Sequence, residues 1–166
     1  MTDQKKLEVL IRLADWSNAQ DGQIVVELLD NYAHDPMGGA SPLSDYAKQH
    51  LAAAMAATPG AFSAIGFLDN KPVALANCFT TLSTFACKAL INIHDLAVIP
   101  EARGQGVGQQ MLAFVEREAN ARGACKITLE VLTGNDTARR SYERFGFAAY
   151  KLDDTSGHAV FLQKML

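Results

Sequence analysis

Val98-Ile99-Pro100-Glu101-Ala102-Arg103-Gly104-Gln105-Gly106-Val107-Gly108-Gln109-Gln110-Met111-Leu112 leads from the end of an apolar stretch, through a glycine-rich turn, into an amphipathic one. The predicted succession is strand, tight turn, helix. Alternate glycines let a ligand approach the backbone with no Cβ in the way, and the first turn of a helix presents amides that have no partner inside the helix. An anion completes them, and the helix dipole adds about 0.3–1 kcal/mol for a charge placed there. Arg103 supplies a charged donor just ahead of the turn. Gly104, Gln105, Gly106, Val107 and Gly108 therefore read, with Arg103, as a phosphate cradle.

Spacing decides which nucleotide this turn suits. A P-loop needs Gly-Lys-Ser/Thr after the turn, and Gly108 is followed by Gln109-Gln110. A dinucleotide fingerprint would place an acidic residue about 20 residues on, where Glu130 stands. Its glycines, however, run G-x-x-G where these run G-x-G, the connector Ile99 to Arg103 carries a proline, and too little chain follows Leu132 for a second mononucleotide half. An ordinary glycine turn is the remaining alternative.

Arg103-Gly104-Gln105-Gly106-Val107-Gly108 fits R/Q-x-x-G-x-G/A, and Asn135, Ala138-Arg139, Tyr142 and Gly146-Phe147 fit N-x-x-A-R-x-x-Y-x-x-x-G-F. Both are motifs of the GNAT acetyltransferase superfamily, which the chain resembles in detail over residues 90–150 and in general layout before that. The resemblance implies acetyl-CoA as cosubstrate, an amine acceptor and a homodimer. It also implies an α/β (α+β) fold of one domain, residues 1–166, whose mixed, mainly antiparallel sheet has two splayed central parallel strands and helices on both faces.

Periodicity predicts the elements individually. A strand falls near Leu7–Leu13, a helix near Asp21–Tyr32 and a second helix from Pro42 to about Ala57, with Leu43, Leu51, Ala54 and Met55 inward. Ala61–Phe67 and Val73–Thr80 form a hairpin, and Ala89–Val98 is the next strand. The long helix runs from about Gly106 to Arg122 with Val107, Met111, Val115 and Ala119 inward and Gly123 as its C-terminal cap. Lys126–Leu132 is the parallel strand, Asp136–Phe145 a short helix, and Ala148–Leu152 and Ala159–Lys164 two terminal strands.

With 166 residues, 49% of them hydrophobic, the chain suits one compact domain. Its 15 basic and 18 acidic residues give a net charge of −3, no footprint for nucleic acid or an acidic membrane, and tolerance of a cationic acceptor. Met1 to Lys6 has no signal-peptide core and no apolar run approaches the roughly 18 residues of a membrane span, which predicts a cytoplasmic protein. Cys78, Cys87 and Cys125 show no C-x-x-C spacing, so no metal site is expected and each reads as a small buried hydrophobe.

Amine attack on a thioester has two difficulties. A lysine-like amine with a pKa of about 10.4 must lose a proton at a cost of roughly 4 kcal/mol at neutral pH. By two-residue alternation Asn92, His94, Leu96 and Val98 share one strand face and Ile91, Ile93, Asp95 and Ala97 the other. His94 is the first candidate base, since an imidazole titrates near pH 6.5. Because a bulge would swap the faces, Asp95 is held in reserve, with Glu130 and water as further alternatives. The second difficulty is the leaving thiolate, for which the resemblance implies a proton from Tyr142. The resemblance also places acetyl-CoA between the splayed strands, its pantetheine on the backbone of Leu96, Ala97 and Val98 with Asn135 against it, while Arg139 reads as a contact to the CoA phosphates or as a solvated helix residue. The turn-rich loop containing Asp35, Met37 and Gly38 is the candidate acceptor mouth. No cysteine stands in a nucleophile setting, so transfer is expected to be direct, in a ternary complex. A catalytically silent acyl-CoA-binding module is the alternative.

Overall fold

The computed structural model describes residues 8–153, 155, 157 and 159–166, in two compact units, Met1–Leu129 and Glu130–Leu166. The first unit contains β1 (Leu10–Leu13), α1 (Ala19–Ala33), α2 (Asp45–Ala57), β2 (Ala61–Leu68), β3 (Lys71–Ser83), β4 (Lys88–Val98), a 3-10 turn (Pro100–Ala102), α3 (Val107–Ala121) and β5 (Ile127–Leu129). The strands lie in sequence order, β1-β2-β3-β4-β5, antiparallel except for the parallel pair β4–β5. The mixed sheet with helices on both faces is as the sequence predicts. The predicted Leu7 lies outside the described residues, and the parallel pair sits at the sheet's edge, not its centre.

One face of the sheet is covered by α1 and α2. Val25 and Leu28 of α1 pack on Ile65 and Leu75, with Trp16, Ile24 and Phe67 at the margin. Against the other face α3 buries Val107, Met111, Leu112, Val115 and Ala119, four of them at the predicted i+4 spacing, and Arg122 at its end stacks over the Phe62 ring at 4.1 Å. Each fully buried aliphatic side chain contributes about 1.5–3 kcal/mol. Asn18 and Ser44 cap α1 and α2 through their side-chain oxygens, which moves the start of α2 from the predicted Pro42 to Asp45. Of the residues expected inward on α2, Met55 is buried but Ala54 is exposed; Ala52 instead faces Gly22 of α1. Asp21, 1% exposed, takes two hydrogen bonds from Arg12 at 2.5 and 2.7 Å and one from the Asp15 amide at 2.8 Å, tying β1 to α1.

The second unit contains α4 (Asp136–Phe145), with the predicted limits, capped by Asn135 at one end and by Gly146 in the left-handed region at the other. Three predicted strands differ. The strand Lys126–Leu132 is reduced to Ile127–Leu129, and neither Ala148–Leu152 nor Ala159–Lys164 forms a strand among its described residues. There, one backbone hydrogen bond, Ala159 to Tyr150 at 3.4 Å, joins two exposed stretches. An isolated two-stranded ribbon is marginal in water, so alternation in the sequence alone does not secure one. Cys78 is buried as expected, while Cys87 and Cys125 are exposed: Cys87 occupies the tight β3–β4 turn at φ +49° and Cys125 the loop before β5.

Candidate functional site

The glycine turn has the geometry of an anion cradle. Gly104 and Gly106 have φ of +74° and +80°, the left-handed region that costs other residues about 1–2 kcal/mol, and a Cβ added to either meets nothing within 4 Å. Gly106 is the N-cap of α3 and provides no side-chain cap, and the first turn of α3 has no acidic residue. Among the described residues α1, α2 and α4 each have both, with Asp21, Asp45 and Asp136 in their first turns. Open space beside an uncapped helix N-terminus fits a diphosphate.

Arg103 directly precedes this cradle, but its guanidinium is engaged outside it. Its Nε donates to the Val98 carbonyl at 3.0 Å, and its Nη2 pairs with Asp35 Oδ2 at 2.9 Å. The arginine thus ties the loop after α1 to the end of β4. Ile99 donates to Val73, which turns the backbone groups of Val98 and Leu96 to the edge away from β3 and those of Ala97 toward β3. On that far edge β5 pairs only with Ile91, Asn92 and Ile93, so Leu96 and Val98 lie beyond the parallel pairing.

The pairing stops where β4 bulges. Asn77 is opposite Asp95 and Cys78 opposite Ile93, leaving His94 as the extra residue. A bulge bends its strand, and the last pair with β5, Ile93 with Leu129, immediately precedes it. The bulge also exchanges the faces. Strict alternation put His94 with Leu96 and Val98 and put Asp95 with Ile91 and Ile93; in the structure Asp95 and Ala97 share the α1/α2 face with Asn77 and Leu75, and Leu96 and Val98 share the α3 face with Ala76 and Ala74. The exposed His94 ring stands edge to face with Phe79, on the Asp95 side, at 5.6 Å between centroids. The two candidate bases are therefore neighbours on one face, not alternatives on two.

Tyr32 of α1 joins them. Burial raises the pKa of its phenol, and the Asp95 and Asp35 carboxylates raise it further. Its hydroxyl donates to the Met37 carbonyl at 3.2 Å. Asp35 accepts from the Met37 amide at 2.9 Å, and that bond, aided by Arg103, holds its carboxyl below the usual range. Gly38 is required, because a Cβ there would lie 2.0 Å from the Tyr32 carbonyl oxygen. The loop of Asp35, Met37 and Gly38 is thus a turn built on Tyr32.

Two residues that the sequence reading passed over complete this face. Ser63 and Asn77, 1% and 2% exposed, are polar residues flanked on both sides by apolar ones in their strands, a signal visible in the sequence. Ser63 Oγ donates to Asn77 Oδ1 at 2.5 Å, and Asn77 Nδ2 donates to Asp95 Oδ2 at 2.9 Å.

In the second unit Asn135 accepts from the Ala138 amide at 3.1 Å, the capping role its side chain suits. Arg139 donates to the Thr133 carbonyl at 3.1 Å. Tyr142 is half-buried with its ring edge-on to Phe147, 5.9 Å between centroids. Glu130 is exposed, past the end of β5. Burial pushes the Cys78 thiol up to about 12, which leaves it unsuited as a nucleophile. Among the described residues no group of three or more His, Cys, Asp or Glu side chains is placed to hold a metal ion, and no helix is long and apolar enough to cross a membrane.

Comparison with known proteins matches residues 22–147 to the model of the acetyltransferase (GNAT) family. Streptothricin acetyltransferase of Streptomyces lavendulae is 36% identical over 75 residues, which are 45% of this chain and 40% of that protein. The chain spans about half or less of the length of the curated relatives it matches. Among solved structures, an aminoglycoside acetyltransferase from an uncultured soil metagenomic sample, in complex with sisomicin, superposes with a TM-score of 0.77 at 16% identity, covering 95% of this chain and 96% of that one. A transcriptional regulator from Bacillus halodurans C-125 gives 0.76 at 20% identity, over 95% of this chain and 100% of that one. At such identities the likeness is one of fold.

Proposed function

The chain belongs to the acetyltransferase (GNAT) family, and from that premise we propose that residues 1–166 act as one N-acetyltransferase domain, moving an acetyl group from acetyl-CoA to a primary amine in a ternary complex. The observation that carries this reading is the open, doubly left-handed glycine turn before the uncapped N-terminus of α3. Gly104 to Gly108 and Arg103 would hold the diphosphate, and the backbone of Leu96 and Val98 the pantetheine amides; the backbone of Ala97, expected to share in this, is turned toward β3 instead. Asn135 and Arg139 are assigned to the cosubstrate by their motif positions. Bound there, acetyl-CoA supplies the acetyl thioester.

The chain's own residues handle protons. His94 takes one from the acceptor ammonium at an imidazole nitrogen and passes it to water, freeing the nitrogen lone pair. The new C–N bond forms as the C–S bond breaks. Tyr142 gives its phenolic proton to the departing sulfur and regains one from the acylated nitrogen, so one proton is released in all. The loop of Asp35, Met37 and Gly38 is the proposed acceptor mouth, and the protein is proposed to work as a cytoplasmic homodimer.

Thermal shifts with acetyl-CoA and NAD, followed by thiol release across a panel of primary amines, test this reading. Stabilisation by acetyl-CoA alone and amine-dependent thiol release are expected. Stabilisation without thiol release for any amine would make the protein an acyl-CoA-binding module, and stabilisation by NAD would overturn the assignment of the turn.

A further inference from the structure

We propose that Ser63 and Asn77 are positioning residues that aim the Asp95 carboxylate at the ammonium of the acceptor beside His94; this deepens the transferase reading and rests on it. The three residues lie across β2, β3 and β4 at directly paired positions, Ser63 opposite Asn77 and Asn77 opposite Asp95. Their hydrogen bonds all run one way. The serine hydroxyl donates to the amide oxygen, which fixes the amide's orientation, and the amide nitrogen then donates to one carboxylate oxygen. The line ends at the bulge, where Asp95 is only half-buried and the exposed His94 ring adjoins on the same face.

The fold does not need this polar line. Neighbouring pairs on the same face, such as Ile65 with Leu75, are apolar and fully buried, and a buried polar pair can be exchanged for apolar groups of like shape at little net cost. What the polar line achieves is orientation. Asn77 occupies Asp95 Oδ2, and no described residue donates to Oδ1. An ammonium bound at Oδ1 is held next to the imidazole that deprotonates it. Asp95 is therefore the acceptor-binding group, and Asn77 acts through it.

The test uses the full chain labelled with 15N and n-butylammonium chloride as probe, with tetramethylammonium chloride at equal ionic strength as control. The side-chain amide signals of Asn77 should shift saturably with n-butylammonium and not with the control, and the shift should vanish in Asp95→Asn. In parallel, Ser63→Ala/Asn77→Leu, which removes the line without stranding a buried hydroxyl, should raise the acceptor KM about tenfold or more, as for loss of a hydrogen bond to a charged group, while acetyl-CoA affinity stays unchanged. A purely structural role would lower the melting temperature and leave the acceptor KM alone. An absent Asn77 shift, or one that persists in Asp95→Asn, overturns the proposal even if turnover is normal. Failure of the wild type to release thiol with any amine sinks the transferase reading instead, and the titration still decides whether Asp95 binds an ammonium.

Discussion

Arg103 Nη2 lies 2.9 Å from Asp35 Oδ2 while its Nε bonds the Val98 carbonyl, so the residue assigned to the diphosphate also anchors the proposed acceptor loop. If Arg103 turns to the diphosphate, it gives up Asp35. Such a half-exposed ion pair is worth about 0.2–1 kcal/mol. Asp35→Asn keeps an acceptor for the Met37 amide and removes the competing charge. Acetyl-CoA binding should then tighten by up to about fivefold, and Arg103→Ala should weaken it. Calorimetry decides: unchanged affinity in both variants makes Arg103 a tie between loop and strand and nothing more.

Gly106→Val should abolish acetyl-CoA binding. A Cβ meets no protein atom there, so the loss has two other sources, the cost of about 1–2 kcal/mol for a left-handed non-glycine residue and the filling of the cradle. The folded variant, checked by circular dichroism, would show no thermal shift with acetyl-CoA. Wild-type affinity would remove the turn from the site.

Tyr142→Phe keeps the ring that meets Phe147 and removes the phenolic proton. Turnover should fall while acetyl-CoA affinity barely changes. An unaltered rate at saturating substrate would reduce Tyr142 to packing.

His94→Gln should slow transfer most at low pH, where the acceptor is almost wholly protonated. The ratio of wild-type to mutant rates should shrink as pH rises toward the acceptor's pKa, from a ceiling of about 10²–10⁴-fold for a general base. A rate equal to wild type from neutral to alkaline pH would transfer the role to Asp95, Glu130 or water.

Stability should depend on Asp21 in acid. The hydrogen bonds from Arg12 lower its pKa in the folded state, so its contribution is fully present above the unfolded value of about 3.9 and is lost as pH falls through the lower, folded one. Asp21→Asn should cost about 2 kcal/mol at pH 7, as for hydrogen bonds to a charged group, and the gap in urea unfolding should narrow below about pH 4. A gap constant down to pH 3 would show that packing, not charge, is what Asp21 contributes.

Local chemistry in the sequence sufficed for the glycine turn, for α3 with its buried Val107, Met111, Val115 and Ala119, and for α4 between Asn135 and Gly146, because helix periodicity, caps and left-handed glycines act within a few residues. The motifs around Arg103 and Tyr142 were legible for the same reason. Tertiary structure decided the rest. Alternation put His94 and Asp95 on opposite faces, and only the pairing of β4 with β3 reveals the extra residue that brings both to one face. The partners of Arg103, distant Asp35 and the Val98 carbonyl, and the line from Ser63 through Asn77 to Asp95 likewise depend on which strands and loops become neighbours. The terminal strands failed because a strand is completed by hydrogen bonds to another strand, and alternation within a segment cannot supply that partner.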